Sequence, residues 1–295
     1  MQLGRTGIWT YQLNYQPTSK VREVVAELEE LGYGALWIGE AVYREPLTGA
    51  AVLLSATNRM VVATGIANIW ARDPVTMTAA QLTLAEAYPE RFLLGLGVSH
   101  ARLIEGLRGH RYERPLTTMR RYLDAMDEAA EAYRAVKPGE RPARVLAALG
   151  PKMLSLAADR ADGAHPYLVT PDHTAKARAQ LGPKRQLLPE QAVVLETDPD
   201  QARTIARRHI SPYLDLPNYT NNFRRLGFTD DDLAGRGSDR LVDAIVAWGD
   251  VDTIKRRVRE HQDAGADHVA LQVFDTDPHG LPMKQWEELA HALCA

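Results

Sequence analysis

The hydrophobic positions of the chain form short apolar runs that alternate with longer segments of helical spacing. Between residues 20 and 31, Val21, Val24 and Leu28 recur at the three- and four-residue intervals of a helix. The apolar runs are rich in β-branched residues, which is typical of buried strands. They predict eight strands, at residues 3–10, 35–38, 61–67, 92–96, 144–149, 164–169, 191–195 and 268–274.

Helical segments separate nearly all of these strands, so the sequence predicts a parallel α/β fold. Strands joined by helical crossovers pair in parallel, and eight of them fit a closed (β/α)8 barrel best. An open doubly wound sheet is the alternative. Residues 209–240 are rich in Tyr, Asn, Asp and Arg and depart from the alternation. They predict a helical insertion between strands seven and eight, within a single barrel domain over residues 1–295.

Composition narrows the classes of function. The formal net charge of −3 disfavours a nucleic-acid partner, since such proteins are usually basic. The single cysteine, Cys294, excludes an internal disulfide, and the scattered histidines give no metal-ligand spacing. No apolar run reaches the ~20 residues that span a bilayer, and the N-terminus lacks signal-peptide features. We therefore expect a cytoplasmic protein without a membrane partner or a metal.

Candidate functional residues follow the predicted strands. The carboxyl ends of the strands of an α/β barrel meet at one rim, where barrel enzymes place their active sites. The residues at these ends are Trp9, Thr10, Glu40, Gly65, Ile66, Asn68, Gly97, Ser99, His100, Gly150 and Tyr167. The sequence therefore predicts that they surround one pocket.

The segment Gly150-Pro151-Lys152 connects a strand directly to a helix. Proline suits the first helical turn, and the free amides and dipole of a helix N-terminus attract an anion such as phosphate. Lys152 would add a positive charge. An ordinary strand-to-helix turn explains the same residues equally simply, so spacing alone leaves both interpretations open.

Several other rim residues allow two interpretations. Gly95 and Gly97 either let a flat ring approach the backbone or relieve crowding in the barrel, and Gly65 indicates a bulge. Glu40 either contacts a ligand or forms an internal ion pair; its position favours the ligand. His100 is a candidate general acid or base. The arginine-rich stretch 102–121 either binds a polyanion or is a solvated surface.

Five segments taken in order resemble the bacterial luciferase-like superfamily, and more closely its F420-dependent oxidoreductase branch, which is chiefly actinobacterial. They are ALWIGE, VVATGIANIWARDPVTMTAAQ, RFLLGLGVSH, ALGPKMLSLAADRADGAHPYLV and DAGADHVALQVF. The resemblance covers nearly the whole chain and implies a (β/α)8 barrel with an insertion near the substrate mouth. It also implies a bulge after strand three with a cis peptide bond at Gly65–Ile66.

The resemblance further implies the roles of individual residues. The matched positions for coenzyme F420 are Glu40, Gly65, Ile66, Asn68, Gly97, Val98, Ser99, Gly150, Pro151 and Lys152. Trp9, Trp70 and Tyr167 would shape the substrate pocket. Some relatives carry a catalytic histidine after the acidic residue, where this chain has Ala41. That difference leaves His100 as the catalytic candidate.

The sequence thus predicts an enzyme that transfers a hydride between F420 and a small organic substrate. The phosphate of F420 would bind at Gly150-Pro151-Lys152 and its polyglutamate tail near the arginines between Arg102 and Arg121. An FMN-dependent monooxygenase of the same fold is the enzyme alternative, and a non-catalytic flavin- or F420-binding protein is the other. A homodimer is expected because dimers are common among the relatives.

Overall fold

The predicted alternation of strands and helices is present in the computed structural model, which describes residues 1–294. Its strands are β1 Thr6–Trp9, β2 Ala35–Ile38, β3 Val61–Thr64, β4 Ala67–Asn68, β5 Phe92–Gly97, β6 Arg144–Leu146, β7 Gly163–Ala164, β8 Gln186–Leu187, β9 Glu190–Val194, β10 Val246–Trp248 and β11 Val269–Phe274.

The helices lie between these strands. They are α1 Thr18–Glu30, α2 Pro46–Leu54, α3 Pro74–Ala87, α4 Ala101–Gly106, α5 Pro115–Ala132, α6 Pro151–Arg160, α7 Pro171–Leu181, α8 Pro199–Ile210, α9 Pro217–Arg225, α10 Asp230–Leu233, α11 Asp239–Ile245, α12 Val251–Asp263 and α13 Met283–Leu293. Short 3-10 turns lie at Gln12–Tyr15 and Ser211–Tyr213.

The strands form one parallel sheet in the order β10-β9-β11-β1-β2-β3-β5-β6-β7-β8, and β4 pairs with β5. Two backbone hydrogen bonds bridge the gap between β8 and β9: Leu188 N donates to Ala164 O and Ala270 N donates to Pro189 O, each at 2.9 Å. Residues 186–194 therefore act as one strand that contacts β7 on one side and β11 on the other. This pairing closes the sheet into a barrel and confirms the predicted (β/α)8 architecture over the open-sheet alternative.

Several strand boundaries differ from the prediction: the first strand begins at Thr6 rather than residue 3, and the fifth ends at Leu146 rather than residue 149. The sixth strand ends at Ala164 rather than residue 169, because Pro166 has no N–H for the ladder and Leu168 adopts a φ of +53°. The seventh strand begins earlier, at Gln186. An unpredicted strand, β10, pairs with β9 beyond the helices α9 to α11 that occupy the predicted insertion.

Many of the helices that follow strands begin with a proline residue. Seven helices within residues 1–294 begin with proline, whose missing N–H is not needed in the first turn. The predicted start of α3 is confirmed, since Asp73 caps it by accepting a hydrogen bond from Thr76 N at 2.9 Å. Gly150 likewise caps α6 ahead of Pro151.

Side chains from alternate strand positions fill the barrel below its carboxyl end. The ring of Trp37 stacks on that of His165 with centroids 4.2 Å apart, and its Nε1 donates to His268 Nε2 at 3.1 Å. The other interior residues are small or apolar: Leu3, Ala35, Val61, Ala63, Leu93, Val145, Leu188 and Ala270. The lower barrel is thus packed, and the opening lies where the strands end.

Candidate active site

A cavity of about 1090 Å³ lies at the carboxyl ends of the strands. The segments that follow the first, third, fourth, fifth and sixth barrel strands contribute to its lining, and the insertion covers part of it. Twelve of the predicted site residues line it: Trp9, Glu40, Gly65, Ile66, Gly97, Val98, Ser99, His100, Gly150, Pro151, Lys152 and Tyr167.

Three predicted residues do not line this cavity: Thr10, Asn68 and Trp70. Thr10 is buried, and its hydroxyl donates to Gln12 Oε1 at 2.6 Å. Asn68 is fully buried, and its Oδ1 accepts a hydrogen bond from Trp70 N at 3.0 Å. The indole Nε1 of Trp70 donates to Val98 O at 2.9 Å, and its ring packs against Tyr112. The pairing of β4 with β5 directs both side chains behind the loop that follows β5. Both side chains support the cavity wall, and their predicted contacts with the cofactor and substrate stay predictions.

The floor of the cavity is formed by Gly65 and Ile66, the two residues between β3 and β4. The Gly65–Ile66 peptide bond is cis, as the resemblance implied. Gly65 N donates to Ile38 O at 2.7 Å, and Ile66 O accepts from Glu40 N at 3.2 Å. A Cβ atom at Gly65 would lie 2.4 Å from Trp9 Nε1, so this position requires glycine.

The glycines of β5 make room for this floor. A Cβ atom at Gly97 would lie 2.4 Å from Cγ1 of Ile66, and one at Gly95 would lie 1.9 Å from Thr64 O. Of the two interpretations, the structure supports relief of crowding inside the barrel. The backbone of Gly97 still borders the cavity, so it remains available to a ligand.

The carboxylate of Glu40 is held by an internal ion-pair network. It accepts hydrogen bonds from Asn68 N at 2.7 Å, from Arg72 at 2.9 and 3.1 Å, and from Arg108 at 3.1 Å. Its side chain is 6% exposed. The ion-pair interpretation of Glu40 is therefore correct, and the favoured ligand contact is not needed to explain it. The network also ties the floor to the arginine-rich loop.

One side of the cavity is positively charged. Gly150, Pro151 and Lys152 present the first turn of α6, and the guanidinium of Arg225 lies 3.6 Å from where a Cβ of Gly150 would be. Within residues 1–294, neither Lys152 nor Arg225 forms an ion pair. We call these four residues the basic wall. Its cations and free amides suit a phosphate group.

Fewer arginines of the stretch 102–121 line the cavity than its length indicated. Arg102 on α4 lines the cavity, and Arg108 is engaged by Glu40. Arg111 lies near Glu113 on the surface, 89% exposed. Arg114 starts α5, whose exposed face carries Arg120 and Arg121. The polyanion-binding interpretation therefore depends on Arg102.

Another part of the cavity lining is a connected set of aromatic rings, which we call the aromatic wall. Ring centroids are 4.3 Å apart for Trp9 and Tyr11, 5.5 Å for Trp9 and Tyr167, 5.7 Å for Tyr167 and Tyr213, and 4.9 Å for Tyr213 and Tyr219. The Tyr167 hydroxyl donates to Gln272 Oε1 at 2.7 Å and lies 3.2 Å from the Tyr213 hydroxyl.

The aromatic wall is uncharged at neutral pH. Burial raises the pKa of Tyr11, Tyr167 and Tyr219 well above the usual range and that of Tyr213 to about 12. His100 borders this wall, with its ring 5.6 Å from that of Tyr219. Burial lowers the pKa of His100, and a hydrogen bond with Asn218 acts in the opposite direction.

Two buried ionisable groups lie among these rings. His165 lines the cavity, and its Nδ1 is 2.6 Å from Leu188 O; burial lowers its pKa to about 4. The Nε2 of His165 has no hydrogen-bond partner within the described chain. The Oε2 of Glu190 accepts from Leu168 N at 2.9 Å, and burial raises its pKa to about 8.

Sequence reasoning missed several cavity residues. Tyr213, Asn218, Tyr219 and Arg225 all come from the insertion, and Tyr11 follows the first strand. The richness of the insertion in tyrosine, asparagine and arginine was a signal. It could not show which strand ends these side chains cover, because that depends on how α9 folds over the barrel.

Residues 1–294 include no group of three His, Cys, Asp or Glu side chains that could hold a metal ion. Over the same span, no helix is long and apolar enough to cross a membrane.

Comparison with known proteins adds two sequence relatives and one solved structure of similar fold. A protein from Mycobacterium tuberculosis, named as a coenzyme F420-dependent oxidoreductase, is 28% identical over 90% of this chain and 93% of its own. The 5,10-methylenetetrahydromethanopterin reductase of Archaeoglobus fulgidus is 23% identical over 88% and 92%. A solved F420-dependent secondary alcohol dehydrogenase with an F420-acetone adduct superposes with a TM-score of 0.78, at 14% identity over 99% and 98%, which shows a shared fold.

The model of one protein family matches residues 3–268, nearly the entire barrel. The match includes the cis peptide floor, the glycines of β5 and the start of α6, which together shape the cavity. The chain belongs to the luciferase-like monooxygenase family.

Proposed function

We propose that this protein is an F420-dependent oxidoreductase that transfers a hydride between the deazaflavin C5 and a small organic substrate. The observation that carries the proposal is one cavity whose lining includes both a basic wall and an uncharged aromatic wall. The relatives from Mycobacterium tuberculosis and Archaeoglobus fulgidus support the same activity.

The residues present fit this cofactor. The first turn of α6, Lys152 and Arg225 suit its phosphate, and Arg102 suits its anionic tail. The floor at Gly65–Ile66 and the backbone from Gly97 to Ser99 border the space that remains for a flat ring. When bound, F420 supplies or accepts the hydride at C5, and the protein supplies position and electrostatics.

His100 handles the proton that accompanies the hydride. Reduction of a carbonyl group adds a hydride to carbon and a proton to oxygen, and oxidation of the alcohol removes both. Because burial lowers its pKa, His100 is neutral at pH 7 and accepts the proton from a hydroxyl group. In the reverse direction, its protonated form returns that proton to the oxygen.

Titration of the purified protein with F420 and with FMN, followed by fluorescence, tests the cofactor. We expect F420 to bind at least about 10-fold more tightly, since its tail adds charge-assisted contacts that FMN lacks. Tighter binding of FMN would favour the monooxygenase alternative. Binding of F420 with no turnover of any alcohol or carbonyl compound would favour a non-catalytic binding protein.

The same proposal includes a cytoplasmic homodimer. Its support is the resemblance to dimeric relatives, since the structure describes a single chain. Sedimentation velocity of the purified protein tests the assembly, and a monomer at micromolar concentration would contradict it. Fractionation of cells that produce the protein tests the location.

A further inference from the structure

The aromatic wall presents a surface for a flat ligand. Its five rings form a chain of neighbouring pairs from Tyr11 to Tyr219, with centroids 4.3–5.7 Å apart. Aromatic rings pack favourably against other rings in offset or edge-to-face geometry. A planar conjugated molecule therefore gains more contact here than a branched or flexible one.

The charge distribution favours an uncharged ligand on this side. The cations that line the cavity and have no ion-pair partner within residues 1–294 are Arg102, Lys152 and Arg225; Lys152 and Arg225 lie in the basic wall. The acidic lining residue, Glu40, is neutralised by Arg72 and Arg108. Placing an unpaired charge against buried phenol rings is costly. An anionic substrate would also compete with the cofactor phosphate.

The polar groups with which the tyrosines of the aromatic wall can contact a ligand are their hydroxyl groups. Tyr167 uses its proton on Gln272, so its oxygen can accept a hydrogen bond from Tyr213, 3.2 Å away. The Tyr213 proton can instead go to a ligand oxygen. Because the pKa of both phenols is raised, they keep their protons at neutral pH and act as hydrogen-bond donors.

Tyr167 is held in place from two directions. Its hydroxyl bonds to the fully buried Gln272, and the next residue, Leu168, is fixed with a φ of +53° by a 2.9 Å hydrogen bond from its N–H to Glu190. Preorganised donors lose little freedom when a ligand binds. The hydroxyl pair is therefore a defined binding point rather than a mobile surface.

We infer that the substrate is a planar, uncharged aromatic or conjugated ketone, or its alcohol, whose oxygen accepts a hydrogen bond from the Tyr213 hydroxyl beside Tyr167. This inference rests on the proposed function, because it assigns the basic wall to the cofactor phosphate. Tyr213 is the specificity-determining residue for the oxygen, and the rings of the wall select the planar body.

Three naphthalene compounds of matched size test the inference by calorimetry in the presence of oxidised F420. They are 2-acetylnaphthalene, 2-ethylnaphthalene and 2-naphthoate, which carry a ketone, no oxygen and a charge. We expect the ketone to bind about 5- to 10-fold more tightly than the ethyl compound, the scale of one hydrogen bond. The carboxylate should bind more weakly than the ketone by at least the same factor.

The variant Tyr213→Phe isolates the hydroxyl group. It should remove the preference for 2-acetylnaphthalene over 2-ethylnaphthalene and leave the Kd of F420 within about 2-fold, because the basic wall is untouched. Tyr15→Phe is the matched control, since Tyr15 shares a 3.1 Å hydroxyl pair with Tyr43 on the surface. It should change neither Kd.

The outcomes separate this inference from the proposed function. If F420 does not bind to the wild-type protein, the proposed function is wrong. If F420 binds but 2-naphthoate binds as tightly as the ketone, the assigned substrate class is wrong. If Tyr213→Phe keeps the full preference for the ketone, the assignment of the hydroxyl pair is wrong.

Discussion

The two walls of the cavity recognise ligands by different physics. The basic wall consists of the backbone amides at the start of α6 together with Lys152 and Arg225. Neither of these cations has an ion-pair partner within residues 1–294. The aromatic wall buries phenol rings and offers no charge at neutral pH. The cavity can thus bind an anionic cofactor at the basic wall and an uncharged substrate at the aromatic wall.

The largest expected effect tests whether water is excluded from the buried Glu190 side chain near the aromatic wall. The pKa of Glu190 is about 8 in the folded protein and 4.5 ordinarily, so the folded state retains a proton that the unfolded state releases. The stability of the wild-type protein should fall between pH 4.5 and pH 8. Glu190→Gln, which has no proton to lose, should lack this fall, a difference on the order of 5 kcal/mol.

Denaturant unfolding at several pH values across this range measures the difference. Glu287→Gln on the exposed face of α13 is the matched control and should follow the wild-type protein. If the stability of Glu190→Gln and wild type changes in parallel with pH, water reaches Glu190 and the wall is not dry.

The next effect concerns proton transfer at the edge of the aromatic wall. His100→Gln should lower turnover by about 100-fold, the lower range for a general acid or base. In oxidation of 1-(2-naphthyl)ethanol with F420, the wild-type rate should rise with pH and level off, because the neutral imidazole is the base. The midpoint should lie below the ordinary histidine pKa of 6.5, since burial lowers it.

Initial rates from the loss of F420 absorbance measure this profile. The exposed His110 provides the matched variant His110→Gln, which should keep wild-type turnover. A His100→Gln enzyme that retains the wild-type rate and pH profile would assign the proton to another group.

A smaller effect tests whether the basic wall and the aromatic wall bind their ligands independently. Arg225→Gln should weaken F420 binding by about 10-fold, since it removes a charge-assisted contact with phosphate. Binding of 2-acetylnaphthalene should not change. Fluorescence titration and calorimetry measure the two constants.

The neighbouring residue supplies the control for this prediction. Arg224 pairs with Asp230 on the surface at 2.9 Å, so Arg224→Gln should leave both constants unchanged. Equal losses of F420 and ketone binding in Arg225→Gln would mean that the walls are not independent.

The smallest effect concerns the approach of an anion to α6. Gly150→Ala would place a Cβ atom 3.6 Å from the Arg225 guanidinium, an ordinary contact that leaves folding unaffected. We expect only about 3-fold weaker F420 binding, because the methyl group partly screens the helix amides. Gly139→Ala, with open space around it, is the control in the same titration. A loss of thermal stability would show that Gly150 is required for packing.

Local patterns in the sequence determined the barrel and the start of its helices. The β-branched runs predicted the strands, and Asp73-Pro74 and Gly150-Pro151 predicted helix starts, because capping and the fixed φ of proline act within a few residues. The family resemblance added the cis bond at Gly65–Ile66. These features need no knowledge of distant contacts.

Only the tertiary structure decided which side chains meet in the cavity. It paired Glu40 with Arg72 and Arg108, turned Asn68 and Trp70 away from the opening, and gave the space beside Gly97 to Ile66. The insertion brought both Tyr213 and Arg225 to the lining of the cavity. The physical reason is that burial and long-range contacts set charge and orientation, and residues far apart along the chain determine both.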